Sequence, residues 1–563
     1  MIFAAALPCF AHERPDRLFA QGKPIEAATL YASSPRASAR MAAVVLYLKV
    51  GEIDAANRLL AGLGTSRGER HICELWRSTI RGRIGALPAF DESGISAPAA
   101  VLLAMHQRVL GSRERALKAL RHAHAKSPAH ILVRAELGRM LAAAGETKAA
   151  LRLAEADPDH AEMQLLRAEI AIRRGDRAKA RQIVERRMRA FPVDPRWEYV
   201  ADASGVSVAR MNAQQERVAA DFCKRFVESF WESDPADGLT NLDASEKSKA
   251  LVSERWQAFK RRWRPRHDQA AREVRGFGAA RRVRGTYAWA LALNSIHGYD
   301  DDQLWTGRLF RSDAHEALGM FLCLAGSHPE AAPLSAYAHE LSLLMRRLPS
   351  PVPFPRYADR VLQISLRRDV RASFAWHAAR RLVSTGDGES GEQILARARE
   401  DLIGSGIGSP PEVRQLSRRA NLIKSKAAFP VRAFSTLDGD TVALDPGRRA
   451  AFVVMVLDPS CALCADIAPE FARFARAHPQ LRGIWLSTSK RGAERWRKRH
   501  GQPWPIGGRV QERVDLIEHL GIGGTPACAL IAEDGRIVQV ASGRDDVRDA
   551  KSWIARFLRR DEK

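Results

Sequence analysis

Two cysteines separated by two residues lie where a buried strand is predicted to pass into a helix. The apolar run 453–457 is rich in β-branched residues and predicts a strand, and a helical pattern begins at Cys461 and Cys464. The first turn of a helix has free backbone N–H groups and a partial positive charge, so a thiol there is expected to ionise more easily than a free cysteine. The spacing predicts Cys461 as the attacking thiolate. Cys464, one turn later, is predicted as the resolving thiol that closes a disulfide through a mixed-disulfide intermediate.

Metal binding is the main alternative for this pair of cysteines. A zinc site needs four ligands, and the sequence has no second pair of cysteines at this spacing. Copper held by Cys461, Cys464 and a histidine such as His519 is a second alternative. We predict neither a metal nor an organic cofactor, only a redox-active disulfide. The remaining cysteines on apolar patterns are expected to be core residues; they are Cys73, Cys223, Cys323 and Cys528.

The surroundings of the two cysteines form an ordered set of motifs. A hairpin with an Asp438-Gly439 turn precedes the strand, and Pro469 lies within the helix. Thr525 and Pro526 follow a pair of glycines and precede an apolar strand, and an amphipathic helix closes the chain. This order resembles the thioredoxin fold, particularly the redoxin-type thiol–disulfide oxidoreductases of bacterial periplasmic cytochrome maturation and disulfide repair. The resemblance covers 427–563.

The resemblance implies roles for four residues. Cys461 and Cys464 would be catalytic, and Thr525 and Pro526 would bind substrate, with the Thr525 backbone pairing with an extended segment. Two positions depart from the pattern, because Met455 replaces the buried aspartate of thioredoxin and Ser460 replaces its tryptophan. The residues between the cysteines do not determine the redox direction, although Thr525 fits a reductase or isomerase better than a strong oxidase.

The first 200 residues contain a recurring Gly-x-x-x-x-Ala pattern that resembles tetratricopeptide repeats. Gly111 and Gly145 are 34 residues apart, which is the period of that repeat. Glycine is expected in the turn between two helices, and alanine where the second helix lies close against the first. The five copies begin at Gly22, Gly51, Gly111, Gly145 and Gly175 and end at Ala27, Ala56, Ala116, Ala150 and Ala180.

These patterns predict a multidomain protein. An α-helical, tetratricopeptide-like solenoid over 15–200 precedes an all-helical region over 205–403, which is interpreted as degenerate repeats or a separate helical domain. A linker and basic helix over 404–426 then lead into the α/β thioredoxin fold over 427–563. Seven cysteines in 563 residues are too few for a disulfide scaffold.

Residues 1–11 are apolar and end in a small residue, so we interpret them as the remnant of a signal sequence, although they lack a positively charged start. This favours a periplasmic location, with the cytoplasm as the alternative. No later run is apolar enough to predict a membrane span.

The net charge is +24, and the densest basic patch is 260–284. No nucleic-acid-binding motif accompanies this patch, so nucleic acid is not favoured as a partner. Contact with an anionic membrane surface is an alternative.

The function predicted from the sequence is that of a thiol–disulfide oxidoreductase. Its helical-repeat arm would position a protein substrate or partner, and a thiol protein would serve as redox partner. The alternative is a non-catalytic interaction scaffold of an envelope assembly that uses the thioredoxin fold for docking.

Overall fold

The chain folds into two compact units, 1–371 and 372–563. The computed structural model describes residues 15–83, 89–190, 197–206, 213–233, 246–274, 283–292, 311–327, 332–348, 352–431, 433–436, 438–444, 451–458, 460–487, 494, 497–498, 504–507 and 510–561. The predicted signal segment 1–11 lies outside these residues. Among the described helices, none is both long and apolar enough to cross a membrane.

The first unit is helical throughout its described residues. Its named helices are Pro15–Ala20, Pro24–Ala32, Ala37–Val50, Ile53–Leu60, Arg67–Ile80, Ala97–Leu110, Arg113–Lys126, Ile131–Ala143, Thr147–Glu155, Ala161–Arg173, Arg177–Ala190, Glu198–Ser204, Ala213–Ser233, Glu246–Glu273, Arg311–Ser327, Ala332–Arg347 and Phe354–Ile364, with a short 3₁₀ turn at Glu92–Gly94. The helix Arg368–Ser384 contains the division between the units.

The glycines and alanines of the recurring pattern take the structural positions predicted for them. Each glycine lies between two consecutive helices, and all five alanines are 0% exposed. Four of the glycines are left-handed, with φ between 77° and 84°, but Gly111 has φ −134°. A side chain at Gly111 would lie 1.7 Å from Oε1 of Gln107, which accepts the N–H of Ser112. Glycine is needed there for a close approach rather than for a left-handed turn. The assignment of these pairs to tetratricopeptide repeats remains a prediction.

A network of buried, charged side chains connects the first helices of the successive helix pairs. Lys49 and Arg139 each place a nitrogen 2.8 Å from Oε1 of Glu162, and Arg108 lies 2.8 Å from Glu136. All of these side chains are at most 13% exposed. Each of these buried charges therefore has a partner of opposite sign, which offsets the cost of removing it from water.

The described residues of the second unit form two sheets. Strands β1 (Ala433–Ser435) and β2 (Thr441–Ala443) form an antiparallel hairpin, as the Asp-Gly turn predicted. The main sheet has the order β5-β4-β3-β6-β7. Its strands are β3 (Phe452–Leu457), β4 (Arg482–Ser487), β5 (Ile506–Gly507), β6 (Ala527–Ile531) and β7 (Ile537–Ser542). Strands β3, β4 and β5 are parallel, whereas β6 is antiparallel to both of its neighbours.

Helices cover both faces of the main sheet. Alternate residues of β3 point to opposite sides, so Met455 packs with Phe471 and Ile554 while Val454 packs with Leu516 on the other face. The named helices that lie wholly in this unit are Gly388–Ser405, Pro410–Lys424, Ala462–Ala477, Val510–His519 and Arg544–Asp561. We call Ala462–Ala477 the active-site helix and Arg544–Asp561 the C-terminal helix.

The region predicted as a linker forms part of this unit. The basic helix predicted there is observed at Pro410–Lys424 and packs on helix Gly388–Ser405 and on β7. Gln539 of β7 donates a buried hydrogen bond to the carbonyl of Ser384, and Arg381 forms an ion pair with Asp549 of the C-terminal helix. The second compact unit therefore begins well before residue 427.

Ala116 provides a test of the close helix packing. We expect Ala116→Leu to lower the free energy of unfolding by about 1–3 kcal/mol, because a larger side chain overfills a fully buried contact. Ala125→Leu on the exposed side of the same helix should change it by less than about 0.5 kcal/mol. Differential scanning calorimetry of both variants measures the effect, and equal shifts in the two would contradict the packing described.

Candidate active site

The turn after β3 places Cys461 at the N-terminal end of the active-site helix. The Asp458 carboxylate accepts hydrogen bonds from the backbone N–H and the hydroxyl of Ser460, at 2.9 and 2.6 Å. This local turn ends the strand and lets the helix begin at Ala462. Cys461 is the N-cap residue, and its sulfur accepts the N–H of Cys464 at 3.3 Å. The thiol thus occupies the position in which a helix stabilises negative charge.

The two sulfurs have different environments. Cys461 is half-buried, and its thiol donates to the carbonyl of Thr525 at 3.7 Å. Cys464 is fully buried, and its sulfur accepts the N–H of Asp458 at 3.5 Å. Both are free thiols in this structure. An incoming disulfide can therefore reach Cys461 directly, whereas Cys464 is accessible only from within the site.

Burial raises the pKa of the Cys464 thiol to about 12. Hydrogen bonds from the backbone of Asp458 and from the side chain of Thr525 act in the opposite direction, because they favour the thiolate. Cys464 therefore remains a thiol at neutral pH and must lose its proton during any reaction in which it attacks.

The carbonyl of Thr525, the residue before Pro526, lies 3.7 Å from the sulfur of Cys461. The peptide bond between Thr525 and Pro526 is cis. The side chain of Thr525 also lowers the pKa of Cys464, an effect that the sequence pattern does not indicate. Leu463, between the cysteines, is exposed and adds an apolar surface next to Cys461.

A buried ion cluster holds the active-site helix. Glu470 is 3% exposed and contacts Arg548 and Lys551 of the C-terminal helix, both at 2.6 Å. Pro469 lies inside the active-site helix, next to this carboxylate. The cluster couples the active-site helix to a second helix on the same face of the sheet, so the position of Cys461 depends on both.

Met455 and Cys528 lie in the same hydrophobic core as Cys464. Met455 is fully buried in the core that contains Cys464, and Cys528, its neighbour across the strands, is also buried. Burial raises the pKa of the Cys528 thiol to about 12. Throughout the described residues, no three His, Cys, Asp or Glu side chains form a group that could hold a metal ion.

Alkylation as a function of pH tests the contrast between the two sulfurs. We expect iodoacetamide to modify Cys461 well before Cys464, because Cys464 is fully buried and has a pKa of about 12. The slow reaction at Cys464 should rise about tenfold per pH unit between pH 8 and 10 without a plateau, since its thiolate fraction is still increasing. Tandem mass spectrometry of the peptide that contains both residues measures each rate. Equal rates in the folded protein at pH 8 would contradict this arrangement, and the protein unfolded in guanidinium provides the control.

Substitution of Thr525 tests the role of its hydroxyl. Thr525→Val removes the hydrogen bond that favours the Cys464 thiolate, so the pKa of Cys464 should rise further. We expect the attack of Cys464 on a mixed disulfide to slow by about tenfold, the equivalent of one hydrogen bond. Thr525→Ser keeps the hydroxyl and should retain most of the rate. Stopped-flow measurement of the release of the second substrate thiol distinguishes the two, and equal rates for Val and Ser would exclude this role.

Comparison with known proteins gives matches among solved structures only. No protein-family model and no curated protein matches the chain. The thioredoxin domain of a thiol-disulfide oxidoreductase from Bacteroides vulgatus matches at 18% identity and a TM-score of 0.21, over 23% of this chain and 96% of that one. StoA from Bacillus subtilis matches at 20% identity and a TM-score of 0.20, over 23% and 98%. A secreted disulfide oxidoreductase from Mycobacterium tuberculosis matches at 15% identity and a TM-score of 0.18, over 23% and 97%.

Proposed function

We propose that this chain is a thiol–disulfide oxidoreductase of reductase or isomerase type that acts on a protein substrate through Cys461 and Cys464. The observation that carries the proposal is the pair of unequal sulfurs. Cys461 is half-buried at a helix N-cap beside the carbonyl of Thr525, whereas Cys464, three residues later, is fully buried. A cysteine that only fills space in the core would need neither a position at a helix N-cap nor the Thr525–Pro526 loop beside it.

The proposed reaction transfers two electrons from the dithiol to the substrate. The Cys461 thiolate attacks one sulfur of a substrate disulfide, which forms a mixed disulfide and releases the other substrate sulfur as a thiolate. Cys464 then loses its proton and attacks the sulfur of Cys461, which releases the second substrate thiolate. The released thiolates take up the protons, and Cys461 and Cys464 end as a disulfide. In an isomerase cycle another thiolate of the substrate attacks the substrate sulfur of the mixed disulfide instead, which forms a new substrate disulfide and releases the Cys461 thiolate.

The environment of Cys464 determines the order of these events. Its raised pKa keeps it protonated and unreactive towards external disulfides. Once the mixed disulfide has formed, Cys464 is the closest internal thiol to Cys461, and the hydrogen bonds from Asp458 and Thr525 stabilise its developing negative charge. The departing substrate thiolate can accept the proton of Cys464. The reaction therefore does not require a buried acid at the position that Met455 occupies.

Substrate recognition is proposed to use the loop at Thr525 and Pro526. An extended segment that pairs with the backbone of Thr525 would lie next to Cys461, because that carbonyl contacts its thiol. The exposed side chain of Leu463 would add apolar contact. Binding of a partner to the helical repeats, a thiol protein that restores the dithiol, and export to the periplasm stay predictions from the sequence.

Two cysteine variants test the proposed function in an insulin-reduction assay with dithiothreitol. Cys461→Ser should lower the rate at least about 100-fold, because the attacking sulfur is lost. Cys464→Ser should instead accumulate mixed disulfides between Cys461 and substrate, which non-reducing gel electrophoresis detects. Cys528→Ala is the matched control and should keep its activity, since Cys528 is a core residue. Full activity in both active-site variants would exclude the dithiol mechanism.

A further inference from the structure

Helix Pro410–Lys424 lies directly against the segment that leads to Pro526. A Cβ at Gly521 would lie 2.5 Å from the carbonyl oxygen of Gln415, and a Cβ at Gly523 would lie 2.4 Å from Oε1 of the same residue. Gly521 is left-handed, with φ 64°, so its own conformation favours glycine. Gly523 is not left-handed, and the side chain of Gln415 takes the space that a Cβ would need there.

The side-chain amide of Gln415 has unused hydrogen-bonding groups. It has two N–H donors and an oxygen acceptor, and within the described part of the chain it makes no hydrogen bond. Gln415 is half-buried, and its amide is not one of the fully buried groups that lack a partner. The amide is therefore available to a group from outside the protein.

The backbone beside this amide is also open. Gly523 and Gly524 are exposed, and among the described residues their N–H groups have no hydrogen-bond partner. A Cβ at Gly524 would meet no atom of the described residues within 4 Å. Thr525 follows directly, and its carbonyl lies 3.7 Å from the sulfur of Cys461. Because successive Cα atoms are about 3.8 Å apart, Gly523 lies within about 8 Å of Thr525.

We propose that Gln415 is a substrate-binding residue that pairs with a main-chain peptide group of the segment bound beside Thr525. The proposal rests on the function proposed above and adds to its substrate site a residue from outside the thioredoxin-like region. A segment that pairs with the backbone of Thr525 continues past Gly524 and Gly523 towards Gln415, because an extended chain advances about 3.3 Å per residue. The glutamine amide has the same donor and acceptor as a peptide group, so it can donate and accept one hydrogen bond at once.

The contact with Gln415 recognises the backbone of the substrate and no particular side chain. Every residue except proline offers the same N–H donor and C=O acceptor, so the contact does not depend on the sequence around the disulfide. The substrate class is therefore an extended polypeptide segment with several peptide groups beside its cysteine. A small disulfide without peptide groups gains nothing from Gln415.

The test measures binding without redox chemistry. A fluorescent ten-residue peptide carries a Ser in place of the substrate cysteine. In its counterpart, ester bonds replace the peptide bonds within two residues of that Ser, which removes the N–H donors at almost unchanged size. Fluorescence anisotropy with the full chain should show the peptide binding at least about tenfold more tightly than the ester, because more than one hydrogen bond is lost.

Matched variants locate the contact. Gln415→Leu removes the amide at nearly the same size and should lower the preference at least about threefold, the equivalent of one hydrogen bond. Gly523→Ala places a Cβ where Oε1 of Gln415 lies, so it should displace that side chain and cause the same loss. The double variant should lose no more than either single variant, because both remove one contact. Arg414→Gln changes an exposed residue of the same helix and should keep the full preference.

Two results would overturn the proposal: equal affinity of the wild-type chain for peptide and ester, or a Gln415→Leu variant that keeps the full preference. Neither readout depends on turnover, so the two proposals fail separately. Insulin reduction by a chain whose Gln415→Leu variant keeps the preference would refute only the role of Gln415. A preference that depends on Gln415, in a chain that does not reduce insulin, would refute only the oxidoreductase function.

Discussion

The second unit depends on one constraint, which is that two sulfurs three residues apart must lie in opposite environments. The sulfur of Cys461 caps the active-site helix and takes the N–H of Cys464, while the side chain of Cys464 turns into the core. A helix that begins one residue after the first cysteine produces this division, because the N-cap faces outward and the N3 position faces the sheet. The Asp458 turn determines that starting point.

This division is maintained by packing around the active-site helix. Glu470 couples the helix to the C-terminal helix through two buried cations, and Phe471 and Ile467 pack it against the core of the sheet. The same packing excludes water from Cys464, and desolvation is the main cause of its raised pKa. Structural stability and the unequal reactivity of the two thiols therefore have a common origin.

The helices that precede the main sheet in the chain also pack against it. Arg381 and Ser384 bind the C-terminal helix and β7, so the helical region and the sheet form one compact unit. Glycine at positions 521 and 523 allows helix Pro410–Lys424 to contact the segment that leads to Pro526. The segment that leads to Pro526 is thus contacted by a helix that the sequence patterns assign to a linker outside the thioredoxin-like region. In the first unit, buried ion pairs such as that of Lys49 with Glu162 play the corresponding role of aligning neighbouring helices.

Much of the local structure follows from the sequence alone. The apolar run before the cysteines, the Asp-Gly hairpin turn and the strand after Pro526 predict elements that are observed, because each depends on residues close together in the chain. The glycine and alanine positions of the helix pairs follow from local sterics in the same way. Gly111 departs because Gln107 packs against it, a contact that no repeat pattern contains.

Only the tertiary structure decided which distant groups meet. The Thr525 carbonyl beside the Cys461 thiol, the pairing of Glu470 with the C-terminal helix and the ion pair of Arg381 with Asp549 all join residues tens to more than a hundred positions apart. Periodicity and turn chemistry act over a few residues, whereas the charge and solvation around a sulfur depend on everything that packs against it. For that reason the sequence by itself predicted a dithiol with Cys461 as its attacking sulfur, and only the fold determined how exposed each sulfur is and which distant groups surround it.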